Sequence, residues 1–387
     1  MQAHSTAASV VALLLSLPAA AGSQTPAAGP EATRATMRQI VDSLAFVLPL
    51  SLGDEPFADP AQHQAILDAL DALVKHGAEL ERHVQGRDLG FAFLSRSLAR
   101  DMRDIRDRYA AGHVAEARFL LLEVTDHCAA CHSRLPDARE HPVGRLLADD
   151  PRVAALDLEE RVELDVATRQ FDRALKGYET LFADPKRSPA DLDLQGHVDG
   201  YLEVAVRVQN DPERALRTFS ALAKRKDLPA ALRENVGAWI ASLRALQRRA
   251  FPGAPVAEAR KLIAEAQDSS RYPDDRSALV TYLFASGLLN RFTTTPGVSS
   301  SELAEACYLL GVIESRIGRS FWLSQTEFYL EQAILLAPQR AFANDAYELL
   351  EEFLVSGYSG SAGADVPPEV RARLDDLKQR IRRAQGS

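Results

Sequence analysis

Cysteine is scarce in this chain: three among 387 residues, two of them close together at Cys128 and Cys131. The third, Cys307, stands alone, which excludes a disulfide-stapled scaffold. Long apolar runs are missing too. The run Val10 to Leu17 is too short to span a bilayer, and no stretch of about 18 apolar residues occurs elsewhere. The net charge of −9 is modest and interspersed. It offers no basic patch to nucleic acid or to an anionic membrane. No paired carboxylates, Ser/His/Asp set or glycine-rich phosphate loop stands out. What is present is an ordinary soluble composition, 46% apolar and 26% charged, in a chain long enough for two domains.

Residues 1–21 read as a cleaved signal peptide, with a short apolar core followed by Pro18-Ala19-Ala20-Ala21-Gly22. No Lys or Arg precedes that core, so the terminal amine alone supplies the usual positive charge. No cysteine follows it to carry a lipid anchor. The mature chain is therefore expected in the periplasm, with no transmembrane segment. Residues 22–30 form a linker rich in Ala, Gly and Pro.

Beyond the linker the sequence predicts an all-α chain. Four amphipathic stretches come first. Met37, Ile40, Val41, Leu44 and Leu48 mark one face, and Ile66, Leu67, Leu70, Leu73, Val74 and Leu80 the next. This second helix is expected to open at Asp59-Pro60, with Gln62 closing a capping box. Phe91, Leu94, Leu98, Met102, Ile105 and Tyr109 follow. After a break at Ala111-Gly112, the last face runs Val114, Ala117, Leu121, Val124, Cys128, Cys131. Such steps of three and four describe the seam of a four-helix bundle.

The cysteines on that seam belong to Cys128-Ala129-Ala130-Cys131-His132, the Cys-x-x-Cys-His attachment signature of haem c. Two intervening residues let both sulfurs reach one porphyrin edge, and the next residue sets His132 beneath the iron as proximal ligand. The competing readings are a thioredoxin-type dithiol and half of a zinc site. A zinc site wants a second ligand pair, and a dithiol wants a strand–helix context. Neither is present.

Residues 33 to about 135 resemble the cytochrome c prime family and its low-spin relatives, four-helix bundles with this motif late in the last helix. AGHVAEARFLLLEVTDHCAACH is similar to the family's final turn and helix, and TMRQIVDSL to its first helix. The resemblance implies one covalent haem c in a domain spanning 31–145. With short connections the first helix lies antiparallel to the last, which puts Met37 level with His132. Met37 is thus the candidate distal ligand, as in the low-spin relatives; core filling is the alternative. Met102 sits roughly 12 Å further down the bundle axis. His76 and His83 are weaker ligand candidates. His127 adjoins Cys128 and cannot reach the opposite porphyrin face. His63, His113, His141 and His197 read as surface or loop residues. Arg38 is a candidate partner for a haem propionate. Arg100, Arg103, Asp104, Asp107 and Arg108 read as a solvated face, and Cys307 as a small buried hydrophobe.

Pro136, Pro142 and Pro151 punctuate a domain boundary, and 152–387 reads as helix pairs. Ala174, Tyr178 and Leu181 before Asp184-Pro185 resemble the second helix of a tetratricopeptide unit. Ala215, Phe219 and Leu222 with Pro229 repeat it at a spacing longer than the usual ~34 residues. Leu310-Gly311 with Leu330, Ala333, Ile334 and Pro338 make a further copy, and helices near 256–267 and 277–291 a degenerate one. Arg371 to Arg383 reads as a capping helix. Such solenoids usually grip another protein.

The reading that follows is a single-electron carrier rather than an enzyme, its haem held by Cys128, Cys131, His132 and Met37. Its repeats would dock a redox partner or a larger membrane-associated complex. Two alternatives stay open: a five-coordinate binder of NO or CO, and a repeat scaffold with a structural haem. A peroxidase lacks a distal acid–base residue.

Overall fold

A computed structural model describes residues 30–52, 54–83, 89–133, 142–271, 275–317, 325–361 and 363–386. The expected signal peptide at 1–21 and, apart from Pro30, the expected linker at 22–30 lie outside the described residues, as do Pro136 and His141. The described chain is all-α. Its β-structure is confined to one small antiparallel hairpin, Ser359–Gly360 with Gly363–Ala364. Among the described residues no helix is long and apolar enough to cross a membrane.

The N-terminal part comprises α1 (Pro30–Ser51), α2 (Asp54–Ala58), α3 (His63–His83), α4 (Leu89–Ala110) and α5 (Val114–His132). The long helices pack in chain order, α1 along α3, α3 along α4 and α4 along α5. Their apolar stripes meet in one core that buries Ile40, Leu44, Ile66, Leu70, Leu98, Met102, Leu121 and Val124. Gly112, at φ 86°, takes the left-handed turn between α4 and α5 that a side chain would resist.

Two details depart from expectation. Pro60 does not open α3. The Asp59 carboxylate accepts the Ala61 N–H at 2.9 Å and the Asp59 carbonyl accepts that of Gln62 at 2.9 Å, making a separate turn before the helix starts at His63. And α2, which has no periodic pattern to announce it, tucks Phe57 into the core edge-on to Tyr109, 5.2 Å between ring centroids.

Next come α6 (Pro142–Ala148), α7 (Pro151–Ala154), α8 (Leu158–Ala167) and α9 (Phe171–Ala183). α6 folds back on α1, and Leu147 and Val153 join the N-terminal core. α8 serves both sides: Leu164 enters the first core, Val162 and Val166 a second, larger one. The two cores therefore adjoin along α8. They also touch where Phe93 of α4 stacks on Phe328, 4.6 Å between centroids.

The second core is built by α10 (Pro189–Leu194), α11 (His197–Leu202), a π-helical turn (Glu203–Val208), α12 (Pro212–Leu222), α13 (Ala230–Arg248), α14 (Pro255–Ser269), α15 (Leu279–Thr293), α16 (Ser300–Ile317), α17 (Gln325–Leu336), α18 (Phe342–Gly357) and α19 (Pro368–Gln385). Sequence neighbours pair, α8 with α9, α12 with α13, α14 with α15 and α16 with α17. The α16–α17 crossing is closest at Gly311, where a Cβ would lie 2.5 Å from Leu330 Cδ2. The last helix buries Leu374, Leu377 and Ile381 and turns its charges outward.

Candidate haem-attachment site

Cys128, Cys131 and His132 occupy the last turn of α5, at the i, i+3 and i+4 spacing that puts them on one helix face. All three are half-buried. Cys128 packs against the N-terminal core, and the adjacent Ala129 against the second core. The motif thus lies at the junction of the two. No disulfide joins the cysteines. Burial, with the Asp126 carboxylate adding to it, pushes the Cys128 thiol up to about 12. Such a thiol stays protonated at neutral pH, unlike the activated cysteine of a dithiol oxidoreductase.

His132 Nδ1 lies 2.6 Å from the carbonyl oxygen of Ala167, the last residue of α8. A carbonyl can only accept, so Nδ1 carries the proton, and in the neutral ring Nε2 carries the lone pair. This is the tautomer of an imidazole that ligates a metal through Nε2 while its other nitrogen is held by an outer partner. The donor set fits a haem: two thiols and a correctly tautomerised histidine, on one face of a helix end. Among the described residues no group of three or more His, Cys, Asp or Glu side chains gathers as a metal-ion site. A haem iron does not call for one, because the porphyrin supplies four of its ligands.

Met37 is half-buried on α1 and packs against the same core as Cys128. Beside it, Thr36 Oγ1 lies 3.3 Å from His83 Nδ1, which ties the start of α1 to the end of α3. Arg38 is exposed. Nearer the middle of α3, His76 is buried and its Nδ1 lies 2.9 Å from Glu79 Oε2. His76 holds that carboxyl below its ordinary value.

His127, only 5% exposed, places Nε2 2.9 Å from Asp101 Oδ2 of α4, off the line of a good hydrogen bond. Burial works to raise the Asp101 carboxyl, yet His127 and Arg100 outweigh it, and Asp101 sits below the usual carboxylate range. The pair clasps α4 to α5 one residue before Cys128.

His197 is a correction to the sequence reading. It is 3% exposed, with its ring 6.0 Å from that of Tyr178 and Nδ1 3.9 Å from Glu163 Oε1. Expected as a surface or loop residue, it instead opens α11, whose Val198, Tyr201 and Leu202 are packed inside the second core. His63 and His113 are exposed as expected, the former stacked on Tyr109 and the latter 3.5 Å from Glu116. The charged face of α4 is solvated, with Arg108 bonded to Asp104 at 2.9 Å, and Cys307 is buried in the second core. The Ala167 carbonyl escaped sequence reading because a backbone acceptor carries no residue signature.

No family model, curated protein or solved structure matches this chain.

Proposed function

We propose that the chain is a periplasmic monohaem c-type cytochrome that transfers single electrons. In this reading α1, α3, α4 and α5 form a four-helix haem domain similar to cytochrome c prime and its low-spin relatives. The later helices form a tetratricopeptide-like solenoid that docks a redox partner or a larger membrane-associated complex. The observation that carries the proposal is the hydrogen bond from His132 to Ala167. It fixes the ligating tautomer of the one histidine that completes the Cys-x-x-Cys-His motif.

Bound haem supplies a one-electron couple. The rest falls to the chain. Cys128 and Cys131 anchor the cofactor covalently, so a surface exposed to partner after partner does not lose it. His132 would hold the iron through Nε2, with Nδ1–H kept on the Ala167 carbonyl. Met37 would supply a thioether to the iron, a ligand that favours the reduced state and leaves no place for exogenous ligands. The apolar side chains around Cys128 keep water away and narrow the reorganisation that electron transfer requires.

The test is a reduced-minus-oxidised spectrum of the purified protein with and without carbon monoxide. Sharp low-spin bands that ignore the gas are expected. A strong shift on adding it would sink Met37 as a ligand and favour an open, gas-binding site. A protein that takes up no haem when exported alongside a cytochrome c maturation system would sink the whole reading.

A further inference from the structure

The partner of His132 does not come from the helices that carry the motif. It comes from the last residue of α8, and the turn that follows to α9 is more constrained than a connection between two helices requires. Ala167 ends α8, so its carbonyl is among the last four that the helix cannot satisfy internally. It also sits at the negative end of the helix dipole, which strengthens its pull on the Nδ1 proton.

The next three residues hold that carbonyl in place. Thr168 is buried and its hydroxyl donates to the Leu164 carbonyl at 2.7 Å. Arg169 adopts φ 62°, the left-handed region that costs a residue with a Cβ roughly 1 kcal/mol or more and persists only where the surroundings enforce it. Gln170 donates its N–H to the Asp165 carbonyl at 2.7 Å and its side-chain amide to the Thr168 carbonyl at 3.2 Å.

From outside, α6 presses on the same turn through Gly144. A Cβ at that position would lie 2.0 Å from the Thr168 carbonyl oxygen and 3.0 Å from its carbon. No real side chain fits there, and the obstruction is backbone, which cannot step aside. Arg173 locks the two segments together. It donates to Asp165 at 2.7 Å, to Asp149 at 2.8 Å and to the Ala148 carbonyl at 3.1 Å.

We propose that Gly144 and the Thr168–Gln170 turn are positioning residues for His132. By clamping the Ala167 carbonyl against Nδ1–H they fix the orientation and basicity of the proximal ligand, and with it the reduction potential. This rests on the haem reading above. The bond gives the imidazole anionic character, which stabilises the oxidised iron, so a weaker bond raises the potential. The second domain therefore tunes the haem rather than merely standing beside it. Outer partners of metal-bound histidines matter about tenfold to a hundredfold. A tenfold change in the oxidised-to-reduced ratio corresponds to about 59 mV for a one-electron couple.

The experiment uses the full-length holoprotein carrying Gly144→Ala, beside Gly311→Ala as a control that strains a different helix crossing, α16–α17. Haem content from the pyridine haemochrome spectrum is measured first, then the reduction potential. The ¹⁵N signals of labelled His132 in the haem-free chain give a readout independent of the cofactor. We expect full haem content, a potential raised by an amount equivalent to about a tenfold ratio, and an Nδ1–H signal that is lost or averaged in Gly144→Ala alone. Should Gly144→Ala fail to fold, Thr168→Val removes the Leu164 bond without touching the close approach, and the same rise is expected at smaller size. A folded, fully haem-loaded variant whose potential and Nδ1 signal match the parent overturns the proposal. Absence of haem from the parent protein would instead overturn the haem reading, while the ¹⁵N comparison still decides whether the turn positions His132.

Discussion

Replacing Asp101 by Asn tests how firmly α5 is held against α4 beside Cys128 and Cys131. The change keeps the shape of the side chain and removes the charge that faces His127 Nε2 across 2.9 Å. Breaking a fully buried pair costs about 3–5 kcal/mol, because the remaining partner is stranded. His127 is stranded in that sense, but the Asp101 side chain is 33% exposed, and solvent screens its half of the interaction. The expected cost is accordingly lower, about 1–2 kcal/mol. His127→Phe should be milder, since Asp101 keeps Arg100 at 3.0 Å and its access to water. Both are read by chemical denaturation at several pH values. The Asp101 carboxyl is depressed in the folded state. Its contribution is therefore complete above the ordinary carboxyl value of about 3.9 and fades as pH falls through the lower folded value. The gap between parent and Asp101→Asn should be full at neutral pH, narrow below about pH 4, and close at the acid end. A gap that persists unchanged into that acid range, or His127→Phe proving the more damaging change, would refute this reasoning.

Three further outcomes are expected. Met37→Ala should turn a spectrum insensitive to carbon monoxide into one that shifts strongly with the gas, with little loss of stability because Met37 is only half-buried. Gly311→Ala forces a methyl group against the buried Leu330 and should cost about 1–3 kcal/mol in calorimetry. Trp239→Phe keeps most of a fully buried ring but removes the 2.6 Å hydrogen bond from its indole to the Arg276 carbonyl. The Arg276 carbonyl keeps the backbone N–H of Leu279, so the change should cost only about 0.5–1.5 kcal/mol, seen as a lower unfolding midpoint.

The helices were legible wherever burial repeats with their own period. The apolar faces of α3, α4 and most of α5 appear in the core as the spacing predicts, Gly112 breaks the chain where expected, and the pairs around Phe219 and Gly311 pack through the named residues. The motif's place in a last helical turn could be read in the same way. What escaped is non-local or carried by the backbone. α2 has one buried anchor, Phe57, and so no period. Gly144 looks like any glycine until the α8–α9 turn is brought against it. His197 has a polar neighbourhood in sequence and an aromatic one in space. The Phe93–Phe328 stack joins segments that no local pattern connects. Nor does any spacing along the chain foretell that α8, beyond α1 to α5, gives His132 a hydrogen-bond partner.

The most direct measurement of the central claim is the intact mass of the chain exported alongside a cytochrome c maturation system, before and after extraction with acidified organic solvent. Covalent attachment predicts a mass heavier by one haem that survives extraction. It also predicts that Cys128→Ala with Cys131→Ala abolishes the increment while His132→Ala leaves the thioether sites intact. A chain of unmodified mass, or a haem that washes out with the solvent, would contradict it.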